Sequence, residues 1–311
     1  MEVKKVFVTG KYATQVTSIK NEIKHNSKLH WESVEKPEDA SILLFFDFVQ
    51  QKTFNFSGNK VLVRQEPKMI LPNNYNDKKL RHFDLIVNVG KPQDGISKNI
   101  NWPQKINLDI SNQIVRNRSK TILINSNLLS LDHGEMYSLR RSVALISDEI
   151  DIFGYGWNIK KRESARILLL ELRKFLYIPW KIKITGLKYF FRNQKNYKGS
   201  VENKIETMEE YRSALVVENS LNYVSEKLFD AFSARCIPVY VGPDLEPYKI
   251  PNNLYIQADP NQNSIVSAIA RANKLDYETW CRELDTWLKS DDFRAKWSEE
   301  TFLMRLKALI N

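Results

Sequence analysis

The stretch VVENSLNYVSEKLFDAFSARCIPVYVGP, residues 216–243, holds the densest chemistry in the chain. An apolar run ends in Glu218, Asn219 and Ser220, and a short polar turn follows. Ser225, Glu226 and Lys227 then open a segment in which Leu228, Ala231 and Phe232 recur at helical spacing. Strand, turn, helix and strand in that order make a right-handed parallel crossover. Ligands of such sheets bind beyond the carboxyl ends of the strands, where Glu218, Asn219 and Ser220 fall. A helix beginning at Ser225 presents unpaired N–H groups and partial positive charge, an anion site. Lys227 in its first turn opposes the helix dipole, and a phosphate in front of it would reverse that penalty. The alternative is a plain solvated first turn, with Glu226 and Lys227 facing water.

Other chemistries find little support. His25, His30, His82 and His133 show no metal-ligand spacing, and Cys236 and Cys281 read as core residues, so no metal site is expected. The acidic run DEID (148–151) sits where a helix meets a strand, an ordinary place for solvated acids. The chain contains no G-x-x-x-x-G-K-[ST] phosphate loop and no local Ser-His-Asp signature.

The elements that must position these residues fall into two series. KKVFVTG (4–10), SILLFFD (41–47), KVLVRQE (60–66) and DLIVNVG (84–90) read as buried strands. A helix over 13–25 carries Val16, Ile19 and Ile23 on one face. After the polar connector 111–120, TILINSN (121–127), IDIFGYG (150–156), SALVVEN (213–219) and CIPVYVG (236–242) are strands. Residues 134–148 read as a helix with Met136, Leu139, Val143 and Ile146 inward, and 225–234 as another. Helical patterns at 264–274, 276–289 and 291–309 close the chain. Continuously apolar strands separated by helices predict open parallel sheets. The expected organisation is an α/β chain with domains at 1–115 and 116–290, and a C-terminal helix at 291–311 packing back on the first. FLYIPWKIKITGLKYFFR (175–192) mixes aromatics with basic residues. It is either an interfacial patch for anionic lipid or a partly buried segment with snorkelling lysines.

Composition bounds the partners. The 311 residues are 42% hydrophobic and 27% charged, which excludes a disordered chain, and suffice for about two domains. Two cysteines build no disulfide framework, so a reducing compartment is expected. A net charge of +10 suits an anionic partner. Nucleic acid has that charge alone in its favour, since no reader motif accompanies it. The apolar run in MEVKKVFVTGKYA is only VFV, short for a signal peptide, and no run of about eighteen apolar residues occurs. A cytoplasmic protein, peripheral to the inner face of the membrane, is the expectation.

VENS, NYVSEK and CIPVYVGP, in that order over 216–243, resemble the signature of glycosyltransferase family ten, the α-1,3/1,4-fucosyltransferases. Three weaker echoes keep the family's order: RQEPKMILPNNYNDKKLRHFDLIVNVG (64–90), NSNLLSLDHGEMYSLRRSVALI (125–146) and YKGSVENKIETMEEYR (197–212). The resemblance spans roughly residues 60–245. It implies a GT-B fold, with two Rossmann-like domains whose parallel sheets face a central cleft, the first binding acceptor and the second nucleotide sugar.

Carried over residue by residue, the family's catalytic base falls on Glu66, which ends an apolar strand; the plain alternative is a strand-end acid paired with Arg64 or Lys68. Donor contacts fall on Arg192, Asn219, Tyr223, Glu226 and Lys227, with Lys227 and Arg192 on phosphate. The implied activity is inverting transfer of L-fucose from GDP-fucose to an oligosaccharide or lipid-linked glycan hydroxyl, with no further cofactor. A different nucleotide sugar, or a non-catalytic glycan- or nucleic-acid-binding protein, are the competing readings.

Overall fold

A computed structural model describes residues 2–47, 58–68, 70–90, 97–104, 106, 118–127, 135–143, 149–157, 196–221 and 224–310. In chain order the elements are β1 (Lys4–Gly10), α1 (Ala13–His25), β2 (Trp31–Ser33), β3 (Ile42–Phe46), β4 (Asn59–Arg64), α2 (Asp77–Leu80), β5 (Leu85–Val89) and β6 (Lys98–Ile100). There follow β7 (Ser119–Ile124), α3 (Tyr137–Val143), β8 (Ile150–Phe153), β9 (Tyr197–Gly199), α4 (Lys204–Met208), β10 (Tyr211–Val217), α5 (Glu226–Ser233), β11 (Ile237–Val241) and β12 (Ile256–Gln257). The chain ends in α6 (Gln262–Lys274), α7 (Tyr277–Leu288), α8 (Asp291–Trp297) and α9 (Glu299–Ile310). The segment 175–192 and the site candidates Arg192 and Tyr223 lie outside the described residues.

Two compact units result: Met1–Lys105 with Ser290–Asn311, and Ile106–Lys289. The first contains a six-stranded sheet of order β2-β1-β3-β4-β5-β6, every pair parallel. All five residues of β3 are buried. Because side chains alternate along a strand, Ile42, Leu44 and Phe46 enter one core while Leu43 and Phe45 enter the other. That two-faced burial is why the strand is apolar without a break. Phe302, Leu303 and Leu306 of α9 join the larger core, and the Trp102 ring meets Phe302 edge-on at 4.9 Å.

The second unit holds a sheet of order β12-β11-β10-β7-β8-β9, also parallel throughout. Its central strands β10 and β11 are covered by α5 and α6, with Leu228, Phe232, Ile265 and Ile269 buried.

Two helical expectations change. The pattern read as one helix over 291–309 breaks at Ser298, whose backbone is extended and whose Oγ accepts from the Thr301 N–H at 3.3 Å. A serine followed by two acids starts a new helix, α9, and overrides the continuing periodicity. In α3 the inward face is not Met136, Leu139 and Val143 alone. Arg140 and Arg141 are buried and Leu139 is half-exposed, while Ile146 lies outside the described residues.

Both strand orders reverse direction once, at β1/β3 in the first sheet and at β7/β10 in the second. Beyond the carboxyl ends of strands at such switch points the parallel ladder leaves room for ligands.

Candidate active site

In the second unit the site is built on the carboxyl end of β10. The Glu218 N–H donates to Val241 O at 2.9 Å, which extends the ladder one residue past the strand. Its carboxylate is buried and turns toward the start of α5. Oε1 accepts from the Ser225 N–H at 2.9 Å, and Oε2 accepts from the Ser225 hydroxyl at 2.6 Å. Ser225 caps α5, its Oγ accepting from the Lys227 N–H at 3.4 Å and from Lys227 Nζ at 2.9 Å. Lys227 therefore folds back over the helix N-terminus, with Nζ 3.9 Å from Glu218 and 4.0 Å from Glu226. Burial raises the Glu218 pKa, against the opposing effects of Lys227 and the Ser225 bonds. For Glu226 burial also pushes upward, but Lys227 and Lys204 outweigh it and hold the carboxylate below its usual range.

Gly242, at the end of β11, closes this arrangement. A Cβ there would lie 2.4 Å from the Tyr240 hydroxyl and 2.8 Å from Glu218 Cγ, so only glycine lets the buried carboxylate sit where it does.

A residue the sequence reading missed completes this half. Arg140 on α3 donates through Nη2 to Val217 O at 2.5 Å and to Asn219 Oδ1 at 2.9 Å. The Met136 N–H donates to Asn219 O at 3.2 Å, and Glu135 forms an antiparallel bridge with Ser220. The start of α3 is thus fastened to the loop after β10. Burial lowers the Arg140 pKa to about 10, and its Nε has no partner among the described residues. The signal was present: two adjacent arginines within 125–146, in a segment whose spacing otherwise reads as an inward face.

The first unit carries the other candidate. Glu66 follows β4 and is half-buried. The Tyr12 hydroxyl, after β1, donates to Glu66 Oε1 at 3.4 Å, and the Tyr75 hydroxyl donates to Glu66 O at 3.1 Å. Burial, and then the neighbouring Glu66 carboxylate, raise the Tyr12 pKa. Arg64 is almost wholly buried, donates from Nε to Asn88 Oδ1 at 2.5 Å and lies 4.3 Å over the Tyr75 ring.

The described residues thus bring Asn219, Glu226 and Lys227 together at one sheet edge, with Glu66 on the edge of the other sheet. They contain no group of three His, Cys, Asp or Glu that could hold a metal ion, and no helix long and apolar enough to cross a membrane.

Comparison with known proteins agrees with this architecture. Residues 149–297 match the family described as glycosyltransferase family 10 (fucosyltransferase), C-terminal. No curated protein matches the chain in sequence. A crystal structure of an alpha1,3-fucosyltransferase aligns over 99% of this chain and 88% of its own, with a TM-score of 0.55 at 12% identity. The GDP-fucose-bound form gives 0.54 over 99% and 89%, again at 12% identity. Alr3699/HepE of Anabaena, in complex with UDP and glucose, gives 0.56 over 99% of both chains at 9% identity. The likeness is one of fold, and the two parallel α/β sheets of this chain are the GT-B fold. Residues 149–297 are therefore a glycosyltransferase family 10 domain, and the protein is a glycosyltransferase.

Proposed function

We propose that the protein transfers L-fucose, with inversion, from GDP-fucose to a hydroxyl of an oligosaccharide or lipid-linked glycan. The unit built on β7–β12 binds the donor and the unit built on β1–β6 the acceptor. The observation that carries the reading is Lys227. Its ammonium is laid across the N-terminus of α5, beside the buried Glu218–Ser225 pair, inside the motif that resembles the family signature.

Loss of the nucleotide as leaving group concentrates negative charge on its diphosphate. Lys227, Arg140 and the α5 N-terminus supply compensating charge there, fixed before the reaction begins. Arg192 is assigned to the same phosphates, and Tyr223 to the donor beside Glu226. Asn219 Oδ1 is already taken by Arg140, so Asn219 contributes its amide nitrogen to the sugar. Glu226, kept ionised by Lys227 and Lys204, faces the positive charge that develops on the sugar ring. Glu66 takes the proton of the acceptor hydroxyl as that oxygen bonds to the anomeric carbon. The bond to the diphosphate breaks on the opposite side, which inverts the centre. These side chains do the work without a metal ion, and the net charge of +10 favours both nucleotide capture and peripheral contact with an anionic membrane.

The UDP-bound neighbour favours one competing donor, a UDP-sugar. Thermal denaturation with nucleoside diphosphates separates the two. GDP at about 100 times its Kd adds roughly 2.7 kcal/mol to unfolding and raises the melting temperature, whereas UDP leaves it unchanged. The reverse order selects the UDP-sugar, and no shift with any nucleotide refutes donor binding.

A further inference from the structure

Asp47 has no part in the roles assigned so far, and neither charge pattern nor motif drew attention to it. It follows β3 at the β1/β3 switch point and is fully buried. Its Oδ1 accepts three hydrogen bonds: from the Gln65 N–H at 2.9 Å, the Glu66 N–H at 3.4 Å and Asn74 Nδ2 at 2.7 Å. Oδ2 is also buried and has no partner among the described residues. The backbone at Asp47 is left-handed, with φ 55°, and is held by its own N–H on Val63 O at 2.9 Å. A buried carboxyl on a sparsely populated backbone is costly, and such cost concentrates where function needs a fixed geometry.

We infer that Asp47 is a positioning residue for Glu66, its carboxylate clasping the peptide N–H groups that lead into the base and so fixing the direction of the Glu66 side chain. The inference rests on Glu66 being the base. Two further contacts restrain the same residue: Tyr75 on its carbonyl and Tyr12 on its carboxylate. Asn74 ties the clasp to the buried network around Arg64, whose Nη1 donates to Asn74 O at 3.5 Å.

Among the described residues the ionisable groups facing Asp47 are Glu66 after β4 and Lys11 and Tyr12 after β1; Arg64 on β4 turns to Asn88 and the Tyr75 ring. Burial pushes the Asp47 pKa up to about 6, opposed by the two N–H bonds and Lys11 and reinforced by Glu66. A protonated carboxyl is a weaker acceptor, so the clasp loosens as pH falls below about 6.

Amide hydrogen exchange at Gln65 and Glu66, followed by NMR between pH 5 and 8 on the full chain, tests this directly. After correction for the intrinsic pH dependence, exchange in the native protein accelerates on the order of tenfold below about pH 6. Asp47→Asn, which keeps an acceptor oxygen, removes the step, and Asp47→Ala leaves both amides fast at every pH. In parallel, GDP release from GDP-fucose with water as acceptor falls on the order of tenfold in kcat for Asp47→Asn. The fall is on the order of a hundredfold for Asp47→Ala, and KM for GDP-fucose is unchanged in both. Protection that does not vary with pH in the native protein, or Asp47→Ala turning over at the native rate, overturns the inference. Glu66→Gln separates the two ideas. Full turnover in that variant removes Glu66 as base, while the amide measurement still reports whether the clasp exists.

Discussion

Asp47, Glu218 and Arg140 carry ionisable groups into places that water does not reach, and each meets that cost differently. Glu218 and Arg140 are bonded into the second unit by Ser225, Lys227, Val217 and Asn219. Asp47 has one oxygen satisfied three times and, among the described residues, one without a partner. Its folded pKa of about 6 lies above the ordinary 3.8, so the folded protein holds this proton more tightly than the unfolded chain does. The stability linked to it is present at pH 4, declines as pH rises to about 6, and stays lower above that by roughly 3 kcal/mol. Asp47→Asn removes the charge and with it the loss. Thermal denaturation is expected to show the variant melting above the native protein at pH 7.5, with the gap closing toward pH 4. A variant that melts lower at pH 7.5 would mean that the carboxylate is needed for folding. The site itself was only partly legible at this scale. Lys227 stood out because a lysine in a first helical turn runs against the dipole. Asp47 did not, because an acid ending SILLFFD looks like any strand terminator, and its bonds are to backbone 18 and 19 residues away.

Among the elements, α5 matters most to the proposed chemistry, and its start is over-determined. Ser225 is N-cap to the helix, donor to Glu218 and acceptor from Lys227 at once. Ser225→Ala is expected to destabilise the protein by about 1–2 kcal/mol through loss of the cap, and by more because a buried carboxylate loses a bond. Chemical denaturation measures the first effect, and the Lys227 ammonium, losing its anchor, should weaken GDP binding alongside. An unchanged midpoint would show that the cap is dispensable. The long buried strands were readable because burial on both faces forces an unbroken apolar run, as in ILLFF (42–46) and IPVYV (237–241). The edge strands β2, β6, β9 and β12 were not. Each has two or three residues, too few for any period to show, and each is held by its neighbour in the sheet. Arg140 was lost for a related reason. A periodicity argument sorts arginine to the water side, whereas here a strand-end carbonyl and Asn219 draw it inward.

At the scale of the molecule, the first unit is discontinuous in sequence: α8 and α9 return to it after the whole second unit has been made. Phe302, Leu303 and Leu306 fill its core beside Val6 and Val8, so the last helix is as much part of that unit as the first strand. The doubly wound pattern of both sheets was visible in the alternation of apolar runs and helical segments. Their strand orders, and hence the switch points beside which Asp47 and Glu218 fall, come only from the pairing. In the proposed reaction the N-terminus of α5, with Lys227 across it, receives the donor's diphosphate. Calorimetric titration of GDP into the native protein and into Lys227→Ala tests it most directly. Loss of a charge-assisted bond costs about 1.5–3 kcal/mol, so the variant should bind GDP at least tenfold more weakly. Equal affinity in the two proteins would contradict the claim.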